Sequence, residues 1–195
     1  MEIKLDNVSY MVNAEVFLQN IYMGFSVNNV YFILGKSGSS KTTLLDLISG
    51  TKKVTGGDIY YNNKKIENKE RISKLDISYI KSDSNFITNT VYEEIMISCF
   101  PKPIKDLEKN LKKINLKKDI LDRKINTLSK TEEKKVQILL SLFEDREVIL
   151  LDEPTIGMSY EEKVILSKKK KKIKKNKTII IASKDTEFML LIEGI

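Results

Sequence analysis

The sequence predicts an α/β fold with a mostly parallel central sheet and antiparallel strands at the N-terminus. Three observations carry this. Residues 30–34, 148–151 and 178–182 are short, continuous apolar runs, the pattern of strands buried on both faces. Helical spacing separates them, as parallel strands joined by crossovers require. Ahead of them, residues 3–10 roughly alternate apolar and polar and are expected to form an edge strand, with residues 16–25 as its pairing partner.

The remaining elements follow in order. Gly35 ends the first apolar run, and residues 42–48 place Leu44, Leu45 and Ile48 on one helical side before Gly50 stops the helix. Gly56 and Gly57 turn into a strand at 58–61, and Asn62-Asn63 turns the chain again. Residues 77–80 make a further strand. From 91 to about 143 the pattern is mainly helical, interrupted by Pro101 and Pro103, with charged residues expected on the outer faces. Residues 160–175 and the tail from Asp185 read as helices.

Composition narrows the function. The chain has 195 residues, 41% of them apolar, which suits one domain with a real core. No stretch is apolar enough to span a bilayer, and the N-terminus does not read as a signal peptide. Cys99 is the single cysteine, which rules out an internal disulfide, fits a reducing compartment and reads as a buried small hydrophobe. The absence of histidine excludes histidine bases and histidine metal ligands. The net charge of +7 comes from lysine; arginine, the residue that reads guanine, occurs only at 71, 123 and 146, so specific nucleic-acid recognition is not expected. The lysine run at 168–172 reads as a solvated helix face.

Two motifs carry chemistry. Gly35, Lys36, Ser37, Gly38, Ser39, Ser40, Lys41, Thr42 and Thr43 lie between a predicted strand and a predicted helix. In that setting successive backbone N–H groups and the helix start wrap a phosphate. Lys41 then reaches the terminal phosphates and the Thr42 hydroxyl ligates Mg²⁺. Ser40 stands where the pattern has glycine; with a positive φ it is strained by about 1 kcal/mol. Far downstream, the buried run 148–151 ends in Asp152, placed to hold Mg²⁺, and Glu153, placed to polarise a water.

With both motifs present, nearly the whole chain resembles the ATP-binding domain of ABC transporters. Residues 35–43 look like the family's Walker A segment and 148–153 like its Walker B. Asp152-Glu153-Pro154-Thr155-Ile156-Gly157 is close to its D-E-P-T-x-G string, and Gly57-Asp58-Ile59 matches its G-x-I strand start. The resemblance implies a P-loop NTPase core formed by residues 1–82 and 147–195, with an inserted helical subdomain at about 83–146. It implies ATP and Mg²⁺ as ligands, integral membrane transporter subunits and a second ATP-binding domain as partners, and a cytoplasmic position on the inner face of the cell membrane. A docking surface for the membrane subunits falls near residues 85–92. A soluble ABC-type protein of DNA repair or translation fits less well, because no long coiled-coil insertion or duplicated domain is present. A P-loop GTPase is disfavoured by the lack of an N-K-x-D string.

The chain departs from the family pattern at several positions. The signature reads Leu128-Ser129-Lys130-Thr131-Glu132, without glycines, although Ser129 and Glu132 form a capping-box pair. Ser82 falls at the Q-loop glutamine, Ser159 at the D-loop aspartate and Lys184 at the H-loop histidine. The adenine-stacking aromatic falls near Val12, with Tyr10 close by. These departures put hydrolysis by this chain in more doubt than nucleotide binding, and leave open a regulatory or scaffold role.

Overall fold

The structure, a computed structural model, describes residues 1–65, 75–83, 86–99, 107–144, 146–168 and 176–194. Two four-stranded sheets organise them. The antiparallel sheet contains β1 (Ile3–Val12), β2 (Glu15–Phe25), β4 (Gly56–Tyr61) and β5 (Lys64–Lys65) in the order β2-β1-β4-β5. The parallel sheet contains β3 (Asn29–Leu34), β6 (Ile77–Ile80), β7 (Val148–Asp152) and β8 (Thr178–Ser183) in the order β3-β8-β7-β6. The helices are α1 (Lys41–Ile48), α2 (Val91–Cys99), α3 (Leu107–Lys113), α4 (Lys130–Glu144), α5 (Tyr160–Ser167) and α6 (Thr186–Glu193), with 3₁₀ turns at Lys118–Asp122 and Ile125–Thr127.

The parallel strands divide their side chains between two cores, as the two-residue period of a strand demands. Val148 and Leu150 of β7 and Ile180 and Ala182 of β8 pack with α1 and the antiparallel sheet. Ile149, Leu151, Ile179 and Ile181 face the opposite way, against the α2–α4 region and Phe188 of α6. Each apolar run therefore supplies both cores, which is why neither β7 nor β8 contains an exposed position.

Two strand expectations need correction. β1 is not an edge strand: β2 pairs with one side and β4 with the other. Its alternation reflects one face on the core, with Ile3, Leu5 and Val8 buried, and alternation does not distinguish an edge strand from an inner one. β3, by contrast, is one of the two edge strands of the parallel sheet, with β6 at the other side. The middle residues of β3 are only half-buried, so an apolar run there does not mean burial on both faces.

The turns are more legible. Asn62 and Asn63 both have positive φ (49° and 61°) and close the β4–β5 hairpin with the backbone sense of a type I′ turn. Gly57 has φ +72°, and a Cβ there would lie 2.2 Å from the Asn7 carbonyl oxygen, so only glycine lets β4 meet the β1 bulge.

In the helical region α4 does not place all its charges outward. Lys134 and Lys135 are buried at 3% and 7% exposure, against the expectation from periodicity. α2 to α4 is also less continuous than the pattern suggested, broken by the two 3₁₀ turns and by Asn115 at φ 54°. Pro101 and Pro103, the Cys99 side chain, and residues 169–175 of the expected lysine-rich helix lie outside the described residues.

Candidate functional site

The site lies where β3, β7 and β8 end together. Parallel pairing sets Leu34 beside Ser183 and Asp152 beside Ala182, so the loops leaving three strands converge. This is the crevice at the carboxyl ends of parallel strands where such sheets bind ligands.

The loop after β3 is tight. A Cβ at Gly35 would meet the Ser39 hydroxyl at 2.4 Å and the Ser39 Cβ at 3.2 Å, so a side chain there would have to displace Ser39. Ser39 N–H donates to the Lys36 carbonyl at 3.2 Å, and Gly38 takes φ +80°. Lys36, Ser37, Gly38 and Ser39 are exposed, while Thr43 is buried on the core side of α1. Ser40 caps α1 in the left-handed region, at φ 60° and ψ 21°, so it bears the strain that glycine would avoid. Its side chain caps nothing, and the first turn of α1 holds no acid. The amides at this helix start therefore carry their partial positive charge uncompensated.

Lys41 folds back over the loop. Its ammonium donates to the Gly35 carbonyl at 2.7 Å and the Lys36 carbonyl at 2.8 Å, and lies 3.7 Å from Glu153 Oε1. The neighbouring Thr42 hydroxyl donates to Asp152 Oδ2 at 2.7 Å. Asp152 is fully buried, and its other oxygen, Oδ1, has no hydrogen-bond partner. Burial raises the Asp152 pKa above the ordinary aspartate value and the Glu153 charge adds to this, while the hydroxyls of Thr42 and Ser82 and the Lys134 charge oppose it. A buried carboxylate oxygen left open beside a hydroxyl is chemically suited to a hard divalent cation. The donor set thus fits Mg²⁺, although no cluster of three acidic or thiol ligands occurs among the described residues.

Glu153 is held on three sides. It accepts from Ser183 Oγ at 3.0 Å and from Lys184 N–H at 3.1 Å, and faces Lys41. Its backbone sits at φ 47°, a strained setting for a long side chain. Nothing in the sequence signals that strain. Lys184 meets Glu153 through its backbone N–H. Asp185, which sequence reasoning missed, accepts from the Thr155 hydroxyl at 2.7 Å, caps α6 through Phe188 N–H and pairs with Lys163 at 2.9 Å. Burial alone would raise its pKa; the Lys163 and Thr155 hydrogen bonds outweigh that and hold it low.

The start of α4 is closed in a way that α1 is not. Ser129 N–H donates to Glu132 Oε2 at 2.8 Å and Glu132 N–H to Ser129 Oγ at 3.3 Å, the capping box expected from the sequence. Arg123 pairs with Glu132 at 2.6 Å, and the Thr131 hydroxyl donates to the Gly157 carbonyl at 2.7 Å. That last bond ties α4 to the loop following β7. Ser159 heads α5 with a second capping box, through Glu162. Tyr10 is half-buried and packs on Phe17 at 6.0 Å, with the Lys52 ammonium 5.6 Å from its ring; Val12 is exposed.

A family model for ABC transporters matches residues 18–156, which include both motifs. The chain belongs to the ABC transporter family. It is one of the family's ATP-binding subunits. A putative ABC transporter ATP-binding protein of Caldanaerobacter subterraneus is 31% identical, over 94% of this chain and 81% of that one. The energy-coupling factor transporter ATP-binding protein EcfA2 of Thermotoga maritima is 26% identical, over 97% and 76% respectively. In fold, the chain superposes on the ATP-binding cassette MJ0796, a dimeric post-hydrolysis state bound to ADP and Pi, with a TM-score of 0.81 at 24% identity, covering 97% of this chain and 90% of that one. ABC ATP-binding domains as a group bind ATP with Mg²⁺, dimerise and work with membrane subunits. Among the described residues no helix of this subunit is long and apolar enough to cross a membrane.

Proposed function

We propose that the chain binds Mg-ATP at the end of the parallel sheet and couples it to transport through integral membrane subunits. The observation that carries this is the triad of Lys41, Thr42 and Asp152. A buried lysine is poised over the loop, and a hydroxyl is bonded to a buried carboxylate whose second oxygen is open. Gly35 to Thr43 would enclose the phosphates with backbone N–H groups. Lys41 would exchange its two carbonyl partners for phosphate oxygens. Thr42 and Asp152 would hold Mg²⁺, which when bound offsets the charge of the phosphates. Glu153 would orient and deprotonate water, and for this it must leave Ser183 and the Lys184 amide.

The same reading divides the chain into a core (1–82 and 147–195) and a helical part (about 83–146). It places the subunit on the cytoplasmic face of the cell membrane, beside a second ATP-binding domain. The exposed Ile87, Tyr92, Met96 and Ile97 give the helical part an apolar surface for the membrane subunits, which extends past the expected 85–92 segment.

A second reading is a regulatory or scaffold subunit that holds nucleotide without turning it over. Two observations favour it: the closed start of α4 and the full occupation of the Glu153 carboxylate. Calorimetric Mg-ATP binding and phosphate release, with and without the membrane partners, separate the two readings. For the first, Lys41→Ala abolishes binding and Glu153→Gln abolishes turnover while leaving binding in place. Binding with no phosphate release in any complex supports the second. No nucleotide binding at all sinks both.

A further inference from the structure

Lys134 is a charged side chain that the reading above does not use. It projects from α4 yet is 3% exposed. Its ammonium donates to the Lys81 carbonyl and, at 3.2 Å, to Gln137 Oε1. Neither acceptor is a carboxylate. The parallel register ends with Ile80 beside Leu151, and Lys81 and Asp152 are the residues that follow this last pair in the two segments. The anchored ammonium therefore sits at the same sheet end as the Asp152 carboxylate.

The charge balance points the same way. Lys41 is matched by Glu153 at 3.7 Å, whereas among the described residues no cation lies within ion-pair distance of Asp152, whose Oδ1 also lacks a hydrogen-bond partner. Burial lowers the Lys134 pKa below the ordinary lysine value, and the charges of Asp152, Asp83 and Glu133 oppose that shift, against Lys130. A buried carboxylate needs compensation, and Lys134 supplies it at a distance without occupying Oδ1.

We propose that Lys134 is the resident counter-cation of Asp152, and that it keeps the site from accepting a divalent cation unless a polyphosphate arrives with it. This rests on the reading that Thr42 and Asp152 hold the nucleotide's metal. A dication alone adds two positive charges beside a fixed ammonium in a poorly solvated pocket, which is unfavourable. A dication carried by a triphosphate brings its own negative charge, so the repulsion largely cancels. Nucleotide and metal then load as one unit, and the empty site does not fill with free cation.

The test uses Mn²⁺ without nucleotide, followed by loss of the free-ion electron paramagnetic resonance signal, on the full chain. Lys134→Gln keeps an amide donor for the Lys81 carbonyl and removes the charge. It is expected to bind Mn²⁺ at least about tenfold more tightly than wild type. Lys134→Arg keeps the charge and is expected to match wild type. Adding Asp152→Asn to Lys134→Gln is expected to abolish the gain. Should Lys134→Gln not fold, Lys134→Met, which preserves the stem, gives the same decision. Equal Mn²⁺ uptake by the charge-free variant and wild type overturns the proposal, as does a gain that survives Asp152→Asn. The Mg²⁺ dependence of ATP binding is measured on Asp152→Asn alone. If it is unchanged, the metal-site reading has failed and Lys134 falls with it. If it is lost while Lys134→Gln shows no gain, only the role of Lys134 is wrong.

Discussion

Among the helix starts headed by serine in the described residues, those of α1 and α4 serve opposite ends. α1 starts at Ser40, which is left-handed, caps nothing and has no acid in the turn that follows. α4 starts after Ser129, whose amide and hydroxyl are both engaged by Glu132, with Glu133 also in the first turn. A helix start leaves several N–H groups without partners in the helix, and a side chain, water or a ligand meets them. α4 meets them internally, with a carboxylate that repels any further anion. α1 leaves them open behind an exposed loop. An open helix start is free to receive an anionic ligand, whereas a capped one is committed to its own fold. This contrast is the physical basis for placing the nucleotide at α1.

The largest expected effect breaks the α1 half of the comparison. Lys41→Ala removes the buried ammonium over the loop and leaves the Gly35 and Lys36 carbonyls facing any phosphate. Truncating such a charged partner costs about 2–5 kcal/mol, or roughly 30- to 5000-fold in affinity, read by calorimetry with Mg-ATP. An unchanged dissociation constant would show that the open helix start is not the phosphate site.

The α4 half is tested by Glu132→Ala. Loss of a capping box costs about 1 kcal/mol, or about 3 °C in Tm for a domain of this size, with Mg-ATP affinity unchanged. pH gives a sharper form. The Ser129 backbone N–H, more than any other favourable contact, holds the Glu132 carboxyl below its ordinary range, and the Ser129 hydroxyl and Arg123 add to this. A depressed folded-state pKa gives stability that is present above the unfolded value and lost as pH falls through the folded one. The Tm difference between wild type and Glu132→Gln is therefore largest near neutrality and shrinks through and below the ordinary glutamate range. A difference constant with pH would mean that the carboxylate is not what closes the helix.

Much of this contrast was legible in the sequence, and the parts that were not have identifiable causes. The glycine loop between strand and helix, and the aspartate closing a buried run, are local patterns with fixed spacing, so residues 35–43, Asp152 and the Ser129–Glu132 box could be read directly. Strand order could not, because alternation reports which face is buried and says nothing of which edges are paired; β1 and β3 exchanged their expected places for that reason. The burial of Lys134 and Lys135 was hidden because a lysine in a helical pattern normally marks the solvent face. The left-handed backbone at Glu153 and the Asp185–Thr155 bond arise only from the meeting of β7 and β8, whose distance along the chain no short window spans.

The smallest effect is also the most specific to α1. Ser40 holds φ 60° before any ligand arrives, so its strain belongs to the folded protein itself and is not deferred until binding. Ser40→Gly removes a left-handed penalty of about 1 kcal/mol, partly offset by the greater freedom of glycine in the unfolded chain. The net expectation is a Tm rise of about 1–3 °C in nucleotide-free protein. Because the backbone already has the shape that the loop needs, Mg-ATP affinity should change by less than about threefold. Ser40→Val should move Tm the other way, since a β-branched residue tolerates this backbone least. A large affinity gain in Ser40→Gly with no change in Tm would show instead that the loop adopts this geometry only around the phosphates, and the open start of α1 would then be a product of binding rather than a preparation for it.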